Sequence, residues 1–161
     1  QLSHARGVIM KLAEALITRA DYQRRLEQLK QRLLRSAKVQ QGDQPAEDPT
    51  VLLAEVERIA DDLARLIQRI NATNASTPLD KGMSIADAIA ARDVLRLKQT
   101  LYRELAQAAT VTQERFTKSE VKFRSSVVVA DMHRRADDLA REHRELDARI
   151  QAANWQVELG E

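Results

Sequence analysis

The sequence predicts a mainly α fold: long antiparallel helical hairpins, four helices in all, with a small β element near 115–128 and a C-terminal β tail. Three observations predict it. Apolar residues recur at spacings of three and four along four stretches, the pattern of one buried helical face. Four glycines and three prolines in 161 residues leave few turns. Trp155, Tyr22, Tyr102, Phe116 and Phe123 are the only aromatic side chains, so the core must be aliphatic, which suits bundles better than sandwiches. The length fits one domain with a moderate core. Residues 10–161 therefore read as a single helical domain, and residues 1–9 as an extension ahead of the start-like Met10-Lys11-Leu12-Ala13-Glu14.

The first helix runs from about Met10 to Lys38, with Leu12, Leu16, Tyr22, Leu26, Leu29 and Leu33 on one stripe. Gln41-Gly42-Asp43-Gln44-Pro45 breaks it. Asp48-Pro49 starts the second helix, with an acceptor side chain at the N-cap and proline at the first helical position, where its missing N–H costs nothing. Leu52, Val56, Ile59, Leu63, Leu66 and Ile70 form its stripe, and the short connection makes the two helices an antiparallel hairpin. The polar run 71–78 then competes with helix until Pro78 ends it. Its two glycosylation sequons, at Asn71 and Asn74, carry no weight without a secretion signal. Gly82 marks a turn, and Ser84-Ile85-Ala86-Asp87 is a capping box for the third helix. That helix reaches about Ala109, with Ala90, Val94, Leu97, Leu101, Leu105 and Ala108 expected inward. Residues 111–118 read as an irregular or extended connection.

Val121, Phe123 and Val127 alternate with Lys122, Arg124 and Ser126, the pattern of a half-buried strand. The fourth helix spans about Val129 to Ala153, and Trp155, Val157 and Leu159 alternate with Gln156 and Glu158 as a second strand. A helix of about 23 residues is roughly 35 Å long, so it holds the two strands at opposite ends. Strands need ladder partners, so this layout predicts a partner subunit that supplies the edge. The expected subunit interface is the fourth-helix seam of Val129, Met132, Leu139, His143, Leu146 and Ile150, with Trp155, Val157 and Leu159 of the tail.

Composition excludes several function classes. Without cysteine there is no disulfide, thiolate nucleophile or cysteine-ligated zinc, and a reducing cytoplasmic setting is the simplest home. No apolar run approaches the roughly 20 residues that span a bilayer. The net charge is +2, with 26 basic and 24 acidic residues, so distribution matters more than total. The first helix is the basic element, and Arg24, Arg25 and Arg32 make a candidate nucleic-acid face; acidic residues of the second helix offer them partners instead. His143 sits in the fourth-helix seam, either as a metal ligand completed by symmetry or as a polar register-setter. Asp61-Asp62 and Asp137-Asp138 are adjacent, so each pair diverges around its helix and cannot face one ligand. No catalytic, metal-ligating or cofactor-binding set is expected. Arg19, Asp21, Arg69, Asn71, Asn74, Arg92 and Asp93 beside the apolar stripes are expected to form a structural polar network.

Met10 to Leu16, Arg19-Ala20-Asp21, the segments 69–74 and 91–95, Leu146 to Gln151 and Asn154-Trp155 together resemble the septicolysin-like family of uncharacterised bacterial helical proteins. The resemblance covers nearly everything from Met10 onward. It implies a long-helix protein in a symmetric oligomer, a hexamer being favoured, and it brings no established activity or catalytic residues. Val128 departs from that pattern, standing where a capping Asp is expected. The expected function is thus a non-enzymatic cytoplasmic oligomer with a structural or interaction role. A nucleic-acid-binding accessory protein using the basic face of the first helix is the alternative, and a cytolysin-like membrane activity ranks third.

Overall fold

The computed structural model describes residues 9–111 and 122–161. It is mainly α: α1 (Leu12–Ser36), α2 (Pro49–Ser76), β1 (Pro78–Asp80), β2 (Met83–Ser84), α3 (Ile85–Ala109) and α4 (Val129–Gln156). The two short strands form one antiparallel sheet. The chain divides into two compact units, one running to Thr77 and taking in Ala152–Glu161, the other comprising Pro78–Gln151.

In the first unit α1 and α2 form an antiparallel hairpin. On α1 the residues withdrawn from solvent include Leu12, Ala15, Arg19, Tyr22, Leu26, Leu29, Leu33 and Ser36, alternating by three and four; on α2 they include Leu52, Val56, Ile59, Leu63, Leu66, Ile70 and Thr73. That alternation is the seam of a left-handed helix pair. Leu29, Leu52 and Ile59 make its central core, with Tyr22, Leu26, Leu33 and Val56 packed around them. Two ion pairs fix the register: Arg32 Nε donates to Glu47 at 3.0 and 3.1 Å, and Arg25 donates to Glu55 at 3.0 Å. Asp48 caps α2 by accepting from Thr50 N at 2.9 Å with Pro49 in the first turn, as the sequence predicts.

The far end of this hairpin is closed by the C-terminal tail. Lys11 stands at the N-cap of α1 and has no acceptor side chain; its own N–H donates to the Glu14 carboxylate at 2.7 Å. The Leu12 N–H, which a capping residue does not satisfy here, donates to the Val157 carbonyl at 2.8 Å, and Leu159 N donates to the Met10 carbonyl at 2.8 Å. Gly160 N donates to Thr73 Oγ1 at 2.9 Å, while Arg69 Nε donates to the Gly160 carbonyl at 2.8 Å. Leu12, Ala13, Ala15, Ile70, Thr73, Asn154 and Leu159 are all buried.

In the second unit, β1 and β2 join through Lys81-Gly82, with Gly82 in the left-handed region at φ 80°. Ser84 then caps α3: its Oγ accepts from Asp87 N at 3.1 Å and the Asp87 carboxylate accepts from Ser84 N at 3.0 Å. The inward residues of α3 include Ile85, Ala88, Arg92, Leu95, Gln99, Tyr102, Ala106 and Ala109, again alternating by three and four. Those of α4 within this unit are Val129, Met132, Ala136, Leu139, His143, Leu146 and Ile150. Arg92 Nη1 donates to Asp147 at 2.9 Å and Arg149 pairs with Asp80, so the start of α3 lies beside the last third of α4.

Several expectations are corrected. The β element lies at 78–84, around the turn predicted at Gly82, and residues 122–128 form no strand; the rest of the predicted β region, 115–121, lies outside the described residues. The polar run after Ile70 stays helical to Ser76, with the Thr73 and Ser76 hydroxyls donating to the carbonyls of Arg69 and Ala72, four residues back, instead of capping an earlier end. Trp155 and Gln156 finish α4, and the tail contributes a single bridge, Glu158 to Lys11. Val128 does occupy the N-cap position of α4, its carbonyl accepting from Met132 N at 3.2 Å, without a capping side chain.

Candidate interaction surface

The polar residues singled out in the sequence do not form one network. Arg92 bonds both Asp93 and Asp147 in the second unit. In the first unit Arg69 holds the tail, Asp21 pairs with Arg24, Asn71 is exposed, and Arg19 is half-buried in the α1 seam. Asn74 Oδ1 is buried without a hydrogen-bond partner among the described residues. Burial opposes the Arg92 charge, but the Asp147 and Asp93 carboxylates outweigh it and raise the guanidinium's pKa.

The basic face of α1 is partnered. Arg24 pairs with Asp21 on its own helix, Arg25 with Glu55 and Arg32 with Glu47 across the hairpin. The hydrogen bond from Arg32 holds the Glu47 carboxyl below its ordinary range. His133 is exposed and His143 half-buried. Among the described residues no group of three or more His, Asp or Glu side chains is placed to hold a metal ion.

The expected interface residues are placed unevenly. Leu139 and Ile150 are buried in the second unit and Leu159 in the first, so these three already lie within their own chain. Val129, Met132, His143, Leu146 and Val157 are half-buried, and Trp155 is 59% exposed. The tail edge, expected to await another subunit, bonds instead to Met10 and Leu12 of the same chain. The strand argument for assembly therefore falls away.

A different surface takes its place. The stripe of α3 predicted to point inward faces solvent: Val94 is 48% exposed, Leu97 70%, Leu101 59% and Leu105 38%, flanked by exposed Ala90 and Ala108. The helix buries its less apolar seam, the one carrying Arg92 and Gln99, and presents the more apolar one. Val94 to Leu105 spans eleven residues, about 16 Å of helix. Scattered exposed leucines need no explanation; an aligned row does. The residue spacing alone could have flagged it, since two three-four seams coexist on α3 and one partner helix covers only one.

A family model described as a family of unknown function, DUF6847, matches residues 19–159. A solved structure titled as a functionally unknown conserved protein from Corynebacterium diphtheriae is 45% identical, with a TM-score of 0.89, covering 94% of this chain and 99% of that one. No curated protein matches. The septicolysin-like resemblance is thereby overturned: the matching family is another one, and the hexamer and cytolysin-like activity drawn from that resemblance lose their basis. The motifs that suggested it are short pieces of amphipathic helix, which recur in unrelated helical chains.

Proposed function

The chain belongs to DUF6847, a family of unknown function, and from that premise we propose that it is a non-enzymatic cytoplasmic protein that self-associates through the outer face of α3. The exposed row Val94, Leu97, Leu101 and Leu105 carries this reading. The lack of cysteine fits a reducing compartment. No helix among the described residues is long and apolar enough to cross a membrane. Many of its charged side chains stand in ion pairs and helix caps, which supports a structural rather than a catalytic role. Carboxylates beside Arg24, Arg25 and Arg32 reduce the field that a phosphate backbone would meet.

Sedimentation velocity of the full chain tests the reading. Burying a leucine is worth about 1.5–3 kcal/mol when complete. Leu97 and Leu101 are more than half exposed, so losing both from each of two copies to Leu97→Glu and Leu101→Glu costs roughly 4–8 kcal/mol of association, a Kd rise of about 700-fold or more. The double variant is expected to remain helical and become monomeric. A wild-type chain that is monomeric at tens of micromolar, or a double variant that assembles as before, overturns the proposal.

A further inference from the structure

We propose that two copies meet along α3 in parallel, with a two-fold axis running beside the helices; this rests on the self-association reading above. The stripe at 90, 94, 97, 101, 105 and 108 steps by four, three, four, four and three. That is close to an eleven-residue repeat at about 3.67 residues per turn, so the stripe runs nearly straight along the helix. It is about 27 Å long from end to end. Alanines stand at both ends and leucines at the centre, so side-chain size favours neither direction of pairing.

Charge does. At about 100° per residue, Asp93 and Glu104 fall on one edge of the stripe and Lys98 on the other. All three are exposed. The Oδ1 of Asp93 accepts from Arg92 Nε and Nη2 at 3.1 and 3.0 Å, and no hydrogen bond from the described residues reaches its Oδ2. An isologous contact sets identical stripes together. In the antiparallel arrangement centred on residue 99, each edge meets itself: Asp93 comes within one residue of Glu104 of the second copy, and Lys98 within two residues of its own counterpart. Like charges then oppose each other on both edges. In the parallel arrangement the acidic edge meets the basic one, and Lys98 of the second copy lies five residues beyond Asp93, about 7.5 Å along the axis. Flanking side chains pair across such a seam in coiled coils. Opposed charges at a rim select direction more than they add affinity.

The chain lacks cysteine, so single cysteines report on the contact without background. Leu97→Cys and Leu101→Cys, each in the full chain, are oxidised separately and as a mixture, and dimers are read on non-reducing gels and by peptide mass. A disulfide needs Cα atoms about 4.4–6.8 Å apart. The parallel pairing predicts that each variant cross-links to itself. Self-cross-linking that fails while the mixture joins 97 to 101 overturns the direction and leaves the self-association reading standing. Oligomers that cross-link in no combination overturn the placement on α3. A wild-type chain that sediments as a monomer overturns this inference together with the reading beneath it. Lys98→Glu is expected to raise the dimer Kd about fourfold, each of two symmetry-related exposed pairs contributing about twofold; an unchanged Kd overturns the charge selection.

Discussion

Replacing Thr73 by valine tests how the tail is held. The Thr73 hydroxyl accepts from Gly160 N at 2.9 Å and donates to the Arg69 carbonyl at 2.8 Å, in a side chain only 5% exposed. Valine keeps the β-branched shape and a similar helix propensity, so what is lost is the hydroxyl. A methyl also takes the acceptor's place next to the Gly160 N–H. Gly160 is exposed, so water can take up its donor, and the net loss is about 1 kcal/mol. Hydrogen exchange read by NMR is the assay, because three amides report the same opening: Gly160, Leu159 bonded to Met10, and Leu12 bonded to Val157. Their exchange is expected to accelerate about fivefold, with mid-α2 amides such as Ile59 unaffected. Unchanged exchange at all three, or equal acceleration along the whole of α2, would refute the idea that this hydroxyl pins the tail locally.

Ile59→Ala removes a fully buried side chain from the α1–α2 core and is expected to cost about 2–5 kcal/mol in urea unfolding followed by circular dichroism; a loss under about 1 kcal/mol would contradict its central position. Asp87 accepts hydrogen bonds from the Ser84 backbone and hydroxyl, which depress its pKa below the usual aspartate value. Its folded pKa is thus lower than its unfolded one, so its stabilisation is complete well above the ordinary aspartate range and is lost as pH falls through the folded value. Protection of the first-turn amides of α3 should decay in that acid range, and Asp87→Asn should flatten the dependence; identical profiles would exclude the carboxylate as the cause. Arg32→Gln removes the guanidinium whose hydrogen bond and charge hold Glu47 down, so the Glu47 titration followed by carbon NMR should move up toward the usual carboxylate range, and an unmoved midpoint would show that the ion pair does not form in solution.

Local signals were the legible ones. Asp48-Pro49 and Ser84 with Asp87 start helices because their hydrogen bonds close within three residues, so sequence neighbours decide the outcome. The α1 and α2 stripes were legible for a related reason: each helix carries one dominant apolar seam. On α3 two seams compete, and hydropathy favours Val94, Leu97, Leu101 and Leu105 over the one containing Arg92 and Gln99. The packed arrangement follows Arg92, whose bond to Asp147 spans 55 residues and leaves no trace in local pattern. The tail was illegible on the same ground. Val157 and Leu159 alternate like a strand, but the groups they bond, at Leu12 and Met10, lie at the opposite end of the sequence.

Residues 152–161 belong to the same compact unit as the hairpin made of α1 and α2, although the whole second unit is synthesised between them. Vectorial translation therefore imposes an order. The α1–α2 hairpin has short-range contacts and can zip as soon as both helices have left the ribosome. Its far end, with the Leu12 amide and the Thr73 hydroxyl still waiting for Val157 and Gly160, stays unfinished until residues 152–161 emerge. At about 5–20 residues per second, the interval between Thr77 and Gly160 lasts roughly 4–17 s, long compared with hairpin closure. During that time a nascent chain leaves the Leu12 amide without its tail partner and presents the newly made row on α3 to the same crowded surroundings.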